Sequence, residues 1–199
     1  MRNIKEYLSE GLIKRQAGMD MKAKIKAWVD EYCDVRHADA VKINDDLTID
    51  VTYGYIVISA RWKEKKLPDY IQFGEAAGDF YIGCKQLESL RGCPRKVGRD
   101  FSCALCDKLK NLEGAPEWVG FNFSCSCCIS LENFVGAPEH VGITFNAYRC
   151  TGLKSFEGIP KKLKELDVTG NYNLHKFPHP ITKKQLKKLY DCDVTKIKK

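Results

Sequence analysis

The stretch Asn111-Leu112-Glu113-Gly114-Ala115-Pro116-Glu117-Trp118-Val119-Gly120-Phe121-Asn122-Phe123-Ser124-Cys125 is followed, one period later, by a variant of itself. That variant is Asn133-Phe134-Val135-Gly136-Ala137-Pro138-Glu139-His140-Val141-Gly142-Ile143-Thr144-Phe145-Asn146-Ala147. The same 22-residue step separates Pro94, Pro116, Pro138 and Pro160, and likewise Gly92, Gly114, Gly136 and Gly158. Val97, Val119, Val141 and Leu163 keep it, as do Leu87, Leu109, Leu131 and Leu153, and Leu90, Leu112, Phe134 and Phe156. A fixed period of this length means stacked supersecondary units, none of which can bury its apolar face alone.

Within each unit the alternation in Phe123-Ser124-Cys125-Ser126 describes a short strand with Phe123 and Cys125 inward. Equivalent segments, Phe101-x-Cys103 and Phe145-x-Ala147, pair with it as parallel strands. The glycine before each proline permits a tight turn, and the proline is expected on the opposite, convex side, where no ladder bond is lost.

The pattern resembles the leucine-rich repeat family, in its short bacterial form with a proline after the last apolar position. Leu166-x-Val168-x-x-Asn171-x-x-Leu174 fits that form, and Phe101-x-Cys103-x-x-Cys106-x-x-Leu109 has the same spacing. A closer likeness is to the repeat proteins of tailed bacteriophages, carried by Ser89-Leu90-Arg91-Gly92-Cys93-Pro94 and by Val119-Gly120-Phe121-Asn122-Phe123-Ser124-Cys125. The resemblance covers residues 46–178. It implies an α/β repeat solenoid, a right-handed array with a parallel sheet on the concave face. It implies no single function, because such arrays host many unrelated binding roles.

The expected organisation has three parts: an N-terminal helical segment and cap over residues 1–45, a solenoid of about 6 repeats over 46–178, and a basic cap or tail over 179–199. In the first part, Met21, Ile25, Trp28, Val29 and Tyr32 form one stripe of a helix from Met19 to Asp34, with a separate amphipathic helix from Arg2 to Arg15. Leu47–Val51 and Tyr55–Ile58 read as strands, and Leu67-Pro68-x-x-Ile71 echoes the Pro-x-x-Val signature of a degenerate repeat. Lys183 to Tyr190 reads as a short helix with Leu186 and Leu189 inward.

Ten cysteines invite a metal or disulfide reading. Cys103-x-x-Cys106 followed by Cys125-x-x-Cys128 has the spacing of a four-cysteine zinc site. The period supplies a rival: Cys103 and Cys125 are equivalent inward strand positions, while Cys106, Cys128 and Cys150 stand where the family has Asn or Cys, capping loop amides. Ala147 and Asn171 replace cysteines in these columns, which favours a structural role and no metal. Disulfides are not expected either, since residues 1–16 do not read as the apolar core of a secretory signal and the expected cytoplasmic location would keep thiols reduced. Cys127 is expected outward, as a reactive surface thiol.

A net charge of +7 is unevenly placed: seven lysines against two aspartates lie between Thr182 and Lys199, so +5 of it falls there. This motivates a nucleic-acid reading through the tail, set against a solvated terminal helix. No phosphate loop, nucleophile elbow or metal-type histidine pair occurs; His37, His140, His175 and His179 are scattered, and Glu113, Glu139 and Glu157 fall on turns. The chain therefore reads as no enzyme, with no cofactor and no membrane segment.

The expected partner-binding face is the concave one: Asp100, Ser102 and Ala104; Asn122, Ser124 and Ser126; Thr144, Asn146, Tyr148 and Arg149; Glu165, Asp167 and Thr169. Tyr148 and Arg149 are its strong anchors, with Trp62 and Trp118 as further candidates. A protein partner is the first expectation, refined by the resemblance to a phage factor that binds and inhibits a host protein, such as one of a defence system.

Overall fold

A computed structural model describes residues 4–171 and 181–198. The readings that rest on Leu174, His175, Pro178, His179 and Pro180 lie outside the described residues. The chain is a parallel β-solenoid in which five successive turns each place one strand in each of two sheets. The strands come in pairs along the chain: β3 (Ile49–Val51) and β4 (Tyr55–Ile58), β5 (Phe73–Ala76) and β6 (Asp79–Ile82), β7 (Lys96–Val97) and β8 (Phe101–Ser102), β9 (Trp118–Val119) and β10 (Phe123–Ser124), β11 (His140–Val141) and β12 (Thr144–Asn146). The even-numbered strands of these pairs form sheet A and the odd-numbered ones sheet B.

The second sheet revises the single-sheet expectation. Each Pro-x-x-Val segment is itself a two-residue strand, with Val97, Val119 and Val141 in one column. The prolines are buried at the start of this side rather than standing on an outer turn. In sheet A the register is in phase: Phe80, Phe101, Phe123 and Phe145 lie side by side. Their rings stack, with centroids 5.9, 5.3 and 5.1 Å apart and planes within 18°. Each is fully buried, worth about 1.5–3 kcal/mol per ring relative to exposure.

Glycine at the corner between the two sheets makes the stacking possible. A Cβ on Gly120 would collide with the Gly98 carbonyl of the turn before, and one on Gly142 with that of Gly120. The next position in the column is Lys164. With a side chain there the corner cannot form, and β13 (Lys162–Asp167) runs straight as one six-residue strand. Among the described residues it pairs only with β12 and with β14 (Asp193–Lys198), so there sheet B ends at β11 while sheet A continues.

Both ends differ from expectation. The helix α1 (Ile4–Tyr32) is continuous, where two segments were expected, and it buries Ile25, Trp28 and Val29 against the first turn. It leads into β1 (Cys33–Val35) and β2 (Val41–Ile43), which close the two sheets by antiparallel pairing, so the N-terminal part is not helical throughout. Leu67-Pro68-x-x-Ile71 is out of register with Pro94-x-x-Val97: Ile71 bonds back to Pro68 as Cys93 does to Leu90, and Ala76 holds the valine column. At the other end α2 (Lys183–Tyr190) buries Leu186 but leaves Leu189 exposed. Thr182 and Gln185 form a capping box at its start. The basic segment beyond it is strand β14, held by Lys196 and Lys198 on Glu165, while Lys187 pairs with Asp191 and Asp193.

Candidate functional site

The outward face of sheet A gathers the residues that the sequence assigned to binding. Parallel register aligns Ser102, Ser124, Asn146 and Asp167 in one column, and Thr144 with Glu165 in another that Asp100 and Asn122 continue. No described element covers this face.

Most of these side chains are engaged within the fold. Ser102, Ser124, Asn146 and Asp167 each accept from the amide two residues on, at 3.2, 3.4, 2.9 and 3.0 Å. These local bonds turn the chain out of the strand, and the residue after each turn stands in the left-handed region: Leu105, Cys127, Arg149 and Gly170, with φ of 64, 59, 54 and 79°. Asp79 accepts from the Asp100 amide at 3.0 Å, and Asp100 in turn from the Asn122 amide and side chain at 2.9 and 3.0 Å. Lys198 and Lys196 hold the Glu165 carboxyl below the ordinary carboxylate range. Ser126 accepts from the Ser124 hydroxyl at 3.2 Å, and Ala104 and Thr169 lie half-buried at the strand ends.

Tyr148 and Arg149 differ from the rest. The Arg149 guanidinium lies over the Tyr148 ring at 5.1 Å, and its stem runs across Gly170 of the next turn. Arg149 is exposed and Tyr148 half-buried, so the pair presents a planar cation on an aromatic surface.

The same face holds residues that sequence reasoning missed. Tyr81 stands in the Ser102 column, and Lys196 and Lys198 pair in register with Glu165 and Asp167. Tyr81 was concealed by spacing, because Phe80 and Phe101 stand one position closer together than the common step. Its motif, Asp79-Phe80-Tyr81-Ile82, has the inward–outward alternation of the later strands and carries the signal. Of the tryptophans, Trp62 packs edge-on against Trp28 and Tyr32 at the N-terminal end and donates to the Lys66 carbonyl. Trp118 faces outward on sheet B, stacked on His140 at 5.2 Å and 8°.

All ten cysteines are free, nine of them buried and Cys127 half-buried. The loop cysteines do not cap amides, as the sequence suggested. They donate to carbonyls of the preceding turn: Cys106 to Ile82 at 3.4 Å, Cys128 to Cys103 at 3.2 Å and Cys150 to Cys125 at 3.0 Å. Asn171 does the same to Ala147 at 2.8 Å. Burial pushes the thiols up, to about 12 at Cys33 and about 11 at Cys84 and Cys192. Among the described residues no group of three or more His, Cys, Asp or Glu side chains is placed to hold a metal ion. No helix among them is long and apolar enough to cross a membrane.

Fold and face together define a repeat protein of the parallel β-solenoid class, whose later turns follow the 22-residue period. Comparison with family models, curated proteins and solved structures finds no match.

Proposed function

We propose that this chain is a non-catalytic binding module that engages a protein partner through the outward face of sheet A. The observation that carries the reading is the Tyr148–Arg149 pair, an exposed guanidinium over a half-buried ring, set in a face whose other polar groups mostly bond internally. Such a face is rigid before binding, so little ordering entropy opposes association, and Tyr and Arg are the residue types that dominate interface energetics. The likeness of the repeating unit to leucine-rich repeats of tailed bacteriophages supports a finer version, in which a phage factor in the host cytoplasm binds and inhibits a host defence protein.

The nucleic-acid alternative has less in its favour. Lys187, Lys196 and Lys198 of the basic segment are engaged by Asp191, Asp193 and Glu165. A metal-binding structural role is weakened by the thiol hydrogen bonds to backbone carbonyls.

Capture from a bacterial lysate tests the reading when run in parallel with Tyr148→Ala/Arg149→Asn, Asn being a residue that tolerates positive φ. A partner retained by the natural chain and lost by the variant is expected. Identical capture by both removes this face from consideration, and binding of a thymidine oligonucleotide that collapses with salt favours the alternative.

A further inference from the structure

Among the described residues sheet B stops two strands short of sheet A, and the strand it stops at, β11, is paired on one side alone, with β9. In earlier turns each outgoing carbonyl is taken by the next turn: Arg95 accepts from Glu117 and Trp118, Val97 from Gly120, Glu117 from Glu139 and His140, and Val119 from Gly142. The equivalents in the last turn are the carbonyls of Glu139 and Val141. Among the described residues no backbone amide donates to the Glu139 carbonyl, and β11 pairs with no strand of the following turn.

An open groove of about 740 Å³ lies beside this edge, between β11 and the start of β13. Its floor is apolar. Val141, Leu163 and Val194 are buried, yet they are more open than Val97 and Val119 of the same column, which are fully closed. Phe121 and Ile143 stand on the rim, 42% and 40% exposed. Lys162 and Lys164 line it on the other side and form no ion pair among the described residues. The acid in the lining, Asp193, is neutralised by Lys187 at 2.9 Å.

We propose that this groove is a docking edge for an extended acidic peptide segment, added as a further strand beside β11. The Glu139 carbonyl and the unpaired edge of β11 accept N–H donors, which a peptide backbone supplies at the roughly 4.8 Å spacing of a strand. Alternate side chains then face opposite ways: apolar ones cover Val141 and Ile143, and acidic ones meet Lys162 and Lys164. Single-stranded DNA fits less well. Its backbone offers only acceptors, and the faces of Trp118 are already occupied by Lys96 at 5.5 Å and by His140.

The surface is separate from the sheet A face and its test uses none of that face's residues, so the two readings fail independently. The probe is an acetylated and amidated alternating glutamate–valine pentapeptide, titrated into the full chain and followed by amide chemical shifts. Saturable shifts confined to residues 139–143 and 162–164 are expected. The affinity is expected to fall about tenfold or more, a loss of about 1.4 kcal/mol, for the same peptide N-methylated along its backbone, and likewise for Lys162→Glu/Lys164→Glu. The N-methylated arm needs no protein variant and so does not depend on one folding. Absence of saturation at millimolar peptide, or equal binding of the N-methylated form, overturns the proposal. So do shifts of these amides caused by a thymidine oligonucleotide alone, or by raising protein concentration without peptide, which assign the edge to nucleic acid or to a second copy.

Discussion

The Cys128 thiol donates to the carbonyl oxygen of Cys103 in the turn before it, at 3.2 Å. Those two residues belong to the spacing that imitates a zinc site, and their geometry serves a different end. A thiol can donate only while protonated, whereas a metal ligand must be a thiolate. Repeated at Cys106 and Cys150, the bond satisfies a buried strand-end carbonyl in each turn, a group that would otherwise carry a desolvation cost of about 1–3 kcal/mol.

Thiol reactivity follows from this arrangement. Nine cysteines are buried and Cys127 is half-buried in an outward turn. A disulfide reagent at neutral pH is expected to modify one thiol rapidly in the folded chain, and that thiol is expected to disappear in Cys127→Ala. Ten should react after denaturation. Fast modification of several thiols without loss of structure contradicts the buried columns.

Alkaline pH is expected to unfold the protein early. The folded pKa values of Cys33, Cys84 and Cys192 are raised, to about 12, 11 and 11. The unfolded thiol titrates near 8.5. The protonated, folded form is therefore favoured in full below about pH 8.5, and that contribution is lost as pH rises toward the folded values. Well above 8.5 each such thiol removes about 1.4 kcal/mol per pH unit. Urea titrations at pH 7, 9 and 10 should show a falling midpoint, less steep when Cys84 is replaced by Ala. A midpoint independent of pH over this range contradicts the burial of these thiols.

How far the fold is legible in the sequence depends on what its period records. Phe101, Phe123 and Phe145 are inward as their alternation says. The second sheet was not legible, because strands such as Lys96–Val97 are two residues long and show no alternation. The first turns were blurred by unequal steps, longer than the common period from Ile56 to Phe80 and shorter from there to Phe101. The lysine-rich strand β14 reads as a solvated tail because its pairing depends on a carboxylate, Glu165, far back in the chain. Candidate face residues were found by periodicity, yet Ser102, Asn146 and Asp167 could not be told from binding groups, since a turn-capping side chain and an exposed one look alike in one dimension.

The corner glycines are expected to be intolerant of any side chain. Gly142→Ala places a methyl group on the Gly120 carbonyl, so the turns must separate, and a loss beyond about 3 kcal/mol is expected on the scale of severe backbone strain and overpacking. Gly18→Ala in α1 meets nothing within 4 Å and should instead stabilise by about 0.5–1 kcal/mol through helix propensity. Denaturant midpoints of the two variants, measured side by side, check the contrast. Equal midpoints contradict the close approach of the turns.

Asn171 offers a repair. It is buried, its side-chain nitrogen donates to the Ala147 carbonyl, and among the described residues its oxygen has no hydrogen-bond partner. Asn171→Cys restores the residue of the preceding turns, keeps a donor for that carbonyl and removes the orphaned oxygen. A gain of about 1 kcal/mol is expected, whereas Asn171→Ala loses the donor as well. Stability should rank Cys above Asn above Ala, and any order with Ala first contradicts the bond to Ala147.

Glu165 ties β14 to the body and sets an acid limit on that attachment. Hydrogen bonds from Lys198 and then Lys196 hold its carboxyl below the ordinary range near 4.3. A depressed carboxylate contributes stability that is present above its unfolded pKa and is lost as pH falls through the folded one. Melting temperature should therefore drop more steeply below about pH 4 for the natural chain than for Glu165→Gln, which forgoes the ion pairs at every pH. Amide exchange at Val194 to Lys198 should quicken in the same window, since those amides belong to the strand that the pairs retain. Parallel acid profiles for the two proteins, with no change in exchange along β14, contradict the role given to Glu165.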